Sequence, residues 1–132
     1  MRDEATEGRD AVEMRFTARE LRDVRRLVSG YAELSLGKAR ADDLVLAVNE
    51  LATNSVRHGG GEGTLRMWTQ EDALVCEIHD AGHIADPRAG QTPPTPDQPS
   101  GRGLWVVNRL ADLMRIHSSP TGTVVRLHMH LA

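Results

Sequence analysis

The chain has 132 residues, with 16 Lys+Arg against 19 Asp+Glu, six His and a formal net charge of −3. That length suits one domain, and the faintly acidic balance excludes a protein whose main task is to grip phosphate backbones. Aromatics are only 3% of residues, too few for a base-stacking surface, and the lone Cys76 excludes an internal disulfide and a multi-cysteine zinc site. The longest aliphatic run, at 44–48, is far too short to span a bilayer, and the N-terminus has no apolar signal region. The expectation is a small, soluble, cytoplasmic domain that neither enters a membrane nor binds nucleic acid directly.

Residues 1–11 are polar and aperiodic and read as a disordered leader, with the folded domain over 12–132. A short strand is predicted at 13–16. Thr17 and Glu20 then have capping-box spacing, and Leu21, Val24, Leu27, Val28, Tyr31 and Leu34 recur at helical intervals up to Gly37. A second helix is predicted over 41–58, with Asp42 and Asp43 at the positive end of its dipole and Leu44, Val48, Leu51, Ala52 and Ser55 as its buried stripe. Gly59-Gly60-Gly61 ends it. Residues 64–69 and 73–80 alternate like two strands of a hairpin.

Five of the six prolines fall between Ala81 and Gly101, a length unusual for a structureless connection and consistent with a lid over 84–100. A short helix at 103–111 and strands at 114–118 and 123–131 complete the order. The expected fold class is α+β, a two-layer sandwich with helices on one face of a mostly antiparallel sheet. The alternate face of the last strand, with Val124, Arg126, His128 and His130, reads as an exposed polar surface rather than a two-histidine metal site. His79 and His117 have the same ordinary reading.

Three places carry candidate chemistry. Glu50, Asn54 and His58 are spaced i, i+4, i+8 and drift by only about 80° around a helix, so they share a face. Glu50 offers a general base and Asn54 a neutral oxygen suited to Mg²⁺, although a solvated flank is the ordinary reading of such residues. Period two puts Asp80 on the core side of its strand with Leu74, Cys76 and Ile78, where a carboxylate needs a partner such as a ligand amine. A turn at Asp80-Ala81-Gly82 is the simpler alternative. Gly101-Arg102-Gly103-Leu104 opens the third helix, where glycines permit close approach and first-turn N–H groups favour anions.

In order and separation, Glu50-Leu-Ala-Thr-Asn54-Ser-Val-Arg-His58-Gly59, Asp80-Ala-Gly82, Gly101-Arg-Gly103-Leu104 and Gly122-Thr123 resemble the four boxes of the Bergerat-fold ATPases. Within that histidine-kinase-like superfamily the chain looks most like the anti-sigma-factor serine/threonine kinases of actinobacterial type. The resemblance implies ATP and Mg²⁺ as cofactors, with Asn54 as metal ligand and Glu50 as catalytic base. It implies Asp80 at the adenine amine, supported by Gly82 and Thr123, and Gly101, Arg102, Gly103 and Leu104 around the phosphates. His58 matches the first box without an assigned role. The family's second glycine after Asp-x-Gly has no counterpart at its place, where His83-Ile84-Ala85 follow Gly82.

The function implied is sequestration of a sigma factor and phosphorylation of Ser/Thr on an anti-sigma-factor antagonist. The alternative is a nucleotide-gated anti-sigma binding module without kinase activity. A homodimer stays open.

Overall fold

The computed structural model describes residues 11–82 and 102–131. In chain order these form β1 (Val12–Thr17), a 3-10 turn (Ala18–Glu20), α1 (Leu21–Leu36), α2 (Lys38–His58), β2 (Glu62–Gln70) and β3 (Ala73–Asp80). After them come α3 (Arg102–Leu110), β4 (Leu113–Ser119) and β5 (Gly122–His130). The strands make one antiparallel sheet in the order β1-β2-β3-β5-β4. Helices lie against one face of it, with α2 in the middle, packed on α1 at one flank and on α3 at the other. This is the two-layer α+β sandwich expected from the sequence, a Bergerat-type arrangement. The leader at 1–10, the segment 84–100 read as a lid, and Gly101 lie outside the described residues.

The capping box forms as read. The Thr17 N–H donates to Glu20 Oε1 at 2.8 Å, and the Arg19 N–H donates to Thr17 Oγ1 at 3.3 Å. Thr17→Ala should therefore cost about 1 kcal/mol of stability, read as a lower urea midpoint at unchanged slope.

One residue of the predicted apolar stripe of α1 points the wrong way. Leu34 is 90% exposed, because it lies about 240° around the helix from Val28. The buried line runs instead through Val24, Val28, Ala32 and Leu36. The second helix also starts earlier than position 41. Gly37 takes φ 78°, a conformation costly for a residue with a Cβ, so the chain reverses over one residue and α2 begins at Lys38. Asp42 and Asp43 consequently sit beyond the first turn and do not complement the dipole. Asp42 instead takes Lys38 at 3.4 Å, an exposed i,i+4 pair of small worth.

The core is aliphatic. Leu44, Val48, Leu51 and Ala52 of α2 meet Leu65, Met67, Leu74, Cys76, Ile78, Val125, Leu127 and Met129 of the sheet. Burial raises the Cys76 thiol far above its ordinary range, so it packs as a small apolar group and is unreactive. Near the start of α2, Arg40 pairs with Asp112, whose carboxylate also accepts the His130 N–H at 2.7 Å. That backbone bond, then the Arg40 charge, outweighs the desolvation of Asp112 and holds its pKa below the ordinary carboxylate value.

The sheet face opposite the helices departs from the expectation of an exposed polar surface. Trp68 and Val75 are fully buried, Glu77 nearly so, and of Val124, Arg126, His128 and His130 only His130 is exposed. The register explains this by aligning Arg66, Glu77 and Arg126 across β2, β3 and β5 beside Trp68. The Arg66 and Arg126 guanidinium carbons lie 5.8 and 5.3 Å from the Trp68 ring centroid. Their stems and planar ends cover apolar surface while the charge stays near water.

Candidate functional site

The junction where α2 ends beside the end of β3 brings together three of the predicted site residues, Asp80, Gly82 and Thr123. Asp80 ends β3 on the core side. Both of its carboxylate oxygens are held: Ser55 Oγ donates to Oδ2 at 2.6 Å and the Gly82 N–H donates to Oδ1 at 2.8 Å. The simpler turn is therefore formed, and the carboxylate is half-buried on the core side with partners inside the protein. The Asp-x-Gly turn satisfies one oxygen, and the α2 stripe supplies the other partner. Each oxygen keeps a lone pair for a further donor.

The junction is close enough to require glycine. A Cβ on Gly59 would sit within the Asp80 carboxylate, and one on Gly82 would lie 2.9 Å from Gly59 Cα and from the His58 carbonyl oxygen. The Ala81 N–H donates to the Gly59 carbonyl at 3.1 Å, locking the end of β3 to the end of α2. Gly122 performs the same service from β5, where a Cβ would meet the Asp80 carbonyl oxygen at 2.7 Å.

Thr123 stands opposite Asp80 in the β3–β5 register and opposite Ser118 in the β4–β5 register. Asp80, Thr123 and Ser118 therefore form one row across three strands. Thr123 Oγ1 donates to the Gly82 carbonyl at 2.8 Å and lies 2.7 Å from Ser118 Oγ. Two residues here were not singled out as site residues from the sequence. Ser55 was read only as part of the buried stripe, although a hydroxyl in such a stripe needs a partner. Ser118 carried no signal until the register paired it with Thr123.

The helical stripe of Glu50, Asn54 and His58 runs away from this junction along α2. Arg25 of α1 donates to Asn49 Oδ1 at 3.0 Å, which marks the flank of α2 that faces α1. Asn54 and His58 lie about 140° and 180° around the helix from Asn49, on the flank toward α3. Glu50 and Asn54 are half-buried and His58, the last residue of α2, is exposed. Arg102 and Gly103 open α3, and Leu104 is buried in the core beneath them. Acceptors thus lie at the Asp80 junction, a carboxylate and an amide lie on the flank of α2 toward α3, and the start of α3 lies beyond that flank. Among the described residues no group of three His, Cys, Asp or Glu is placed to hold a metal. A divalent cation brought by a nucleotide needs fewer, since Mg²⁺ keeps waters and takes only one or two protein ligands beside phosphate. A single Asn54 oxygen fits that role and does not fit a dedicated metal cage.

The histidine kinase-like ATPase domain family matches residues 14–129. The chain belongs to that family. The same fold recurs in solved structures. A crystal structure of the RsbU and RsbW domains of Rv1364c from Mycobacterium tuberculosis aligns with a TM-score of 0.64 at 19% identity. It covers 91% of this chain and 32% of that one, so the chain spans about a third of its length. The Acinetobacter baumannii histidine kinase AdeS aligns with a TM-score of 0.53 at 11% identity, over 91% of this chain and 68% of that one. At such identities the likeness is one of fold. No curated protein matches in sequence. Among the described residues of this ATPase domain, no helix is long and apolar enough to cross a membrane.

Proposed function

We propose that the chain is an ATP-dependent protein kinase of the anti-sigma type, which holds a sigma factor and phosphorylates Ser or Thr on an antagonist protein. Family membership supplies the ATPase domain. The observation that supports the finer reading is the Asp80 carboxylate held at the end of α2 by Ser55 and Gly82, with Glu50 and Asn54 on the flank of that same helix toward α3. Asp80 accepts from the adenine amine, with Gly82 and Thr123 shaping its surroundings. Asn54 offers its side-chain oxygen to Mg²⁺, and the first-turn N–H groups of α3, at 102–104, favour the phosphates; Gly101 lies outside the described residues. His58 ends the same flank of α2.

Bound Mg-ATP supplies a transferable γ-phosphoryl group. Glu50 accepts the proton of the attacking hydroxyl, and the rest of the site positions and stabilises charge. The slightly acidic surface suits work on proteins rather than on nucleic acid, and sigma factor and antagonist are the partners proposed.

Calorimetry with Mg-ATP tests the nucleotide site. Asp80→Asn keeps an oxygen for the Gly82 N–H and can turn its amide toward Ser55 Oγ, so the fold should survive. The pocket, however, then presents a donor to the base amine. Loss of a hydrogen bond to a charged acceptor should weaken binding roughly 10–100-fold. Asn54→Ala should weaken Mg-ATP more than metal-free ATP. Wild-type affinity in both variants would overturn the assignment.

A further inference from the structure

We infer that Ser118 is a positioning residue that sets the direction of the Thr123 hydroxyl, and so makes the proposed base site selective for an amino-purine over an oxo-purine. The inference rests on the reading of the Asp80 pocket as the base site and assigns a task within it to a residue on the neighbouring strand.

The argument is a count of protons. A hydroxyl has one proton to give and two lone pairs. Thr123 gives its proton to the Gly82 carbonyl, which has none of its own, at 2.8 Å. The 2.7 Å contact between Ser118 Oγ and Thr123 Oγ1 must then be Ser118 donating and Thr123 accepting. Ser55 spends its proton on Asp80 Oδ2, and the Gly82 N–H is spent on Oδ1. Each of these donors therefore points into the protein. What is left here for a ligand is lone pairs: those on the half-buried Asp80 carboxylate and one on Oγ1 of Thr123, which is itself 4% exposed.

Such a surface suits the exocyclic amine of adenine and opposes the O6 of hypoxanthine or guanine. Asp80 cannot change sides, because an ionised carboxylate only accepts. Thr123 can, because a rotated hydroxyl would donate to O6. Register makes that rotation costly. Ser118 lies directly across from Thr123, with Ser118 on β4 and Thr123 on β5. Turning Thr123 away from Gly82 would disturb two hydrogen bonds with Ser118 present and only one without it. A site that gains from leaving polar groups correctly paired rejects the wrong ligand through exactly this kind of loss.

The test compares ATP with inosine triphosphate, which carries O6 in place of the 6-amine and a proton on N1, and the variants are compared by the ratio of the two affinities. Dissociation constants are measured by calorimetry on the intact chain for wild type, Ser118→Ala and Ser118→Thr. Ser118→Ala should lower the preference for ATP over inosine triphosphate about five-fold, the worth of one hydrogen bond, and Ser118→Thr, which keeps the hydroxyl, should restore it. If Ser118→Ala does not fold, Ser118→Cys, a weak donor of similar size, should show the same fall. Equal weakening of both nucleotides, or an unchanged ratio, would make Ser118 merely structural and overturn the inference alone. A wild-type chain that binds no ATP would overturn the base-site reading, and this inference with it.

Discussion

If the proposed kinase reading holds, Glu50→Ala should lower phosphoryl transfer to a Ser/Thr-bearing antagonist by about 10²–10⁴-fold, with Mg-ATP affinity held within a few-fold. The expectation follows from where Glu50 sits. It is one helical turn before Asn54 on the same stripe of α2, half-buried and further along the helix from the Asp80 junction proposed to take the base. A group so placed meets an acceptor hydroxyl arriving from solvent, and its loss should be felt in transfer rather than in nucleotide binding. Glu50→Gln separates chemistry from shape, since it preserves volume and hydrogen bonding but cannot take a proton. It should be as inactive as Glu50→Ala. The measurement is transfer of labelled phosphate from ATP, with binding followed in parallel by calorimetry. Full activity in Glu50→Gln would remove Glu50 from the role of base. A wild-type chain that binds ATP and retains partners without transferring phosphate would leave the nucleotide-gated binding module as the function.

The site was more legible in the sequence than the sheet around it, for a physical reason. Glu50, Asn54 and His58 lie at helical spacing, Asp80 falls on the apolar side of an alternating strand, and Gly59 and Gly82 mark a helix stop and a turn. These are local signals that require no knowledge of strand order. Ser55 is buried in the α2 stripe as the spacing predicts, but its partner Asp80 is 25 residues away and the contact depends on how α2 lies on the sheet. Ser118 was invisible for the same reason, since its importance begins only when β5 pairs with β4. Leu34 satisfies the helical spacing of α1 in part, yet Ala32 and Leu36 complete the buried line. Spacing alone does not say which of two overlapping stripes meets the sheet. Gly37 was recognised as a stop, but its positive φ also makes it the pivot that starts α2 at once, which composition does not reveal.

The open sheet face shows what alternation cannot see. Period two placed Glu77, Arg126 and His128 correctly on the side away from the helices and then treated that side as solvated. In the fold, Glu77 accepts Arg126 Nε at 2.6 Å and Nη2 at 2.5 Å, and pairs with His79 Nε2 at 2.9 Å. Trp68 lies beneath the Arg126 guanidinium in the same cluster. Cross-strand neighbours thus turn three polar residues into the cover of a buried ring, a relation that depends on register and not on any one strand.

Glu77→Ala should consequently be among the most destabilising substitutions on this face. Removing one partner of a buried pair leaves the other charge unsatisfied, which costs about 3–5 kcal/mol. The lower end applies here, because the Arg126 side chain remains 28% exposed and water can reach it. The acid limb of stability tests the same contact. Burial pushes the Glu77 carboxyl up, but hydrogen bonds from His79 and Arg126 and their charges pull it further down, so its folded pKa lies below the ordinary value. A depressed carboxylate contributes stability that is present above the unfolded pKa of about 4.3 and is lost as pH falls through the folded one. His128 adds a loss at higher pH with the same sign. Desolvation, then the Arg126 and Arg115 charges, lower its pKa below 6.5, so acidification first costs stability below that value. Urea midpoints measured from pH 7 to pH 3 should fall in wild type across both windows. In Glu77→Ala they should start lower and lose the steeper fall below about pH 5. An unchanged acid limb in the variant would mean that the Glu77–Arg126 pair adds nothing to the fold and that Trp68 is held by packing alone.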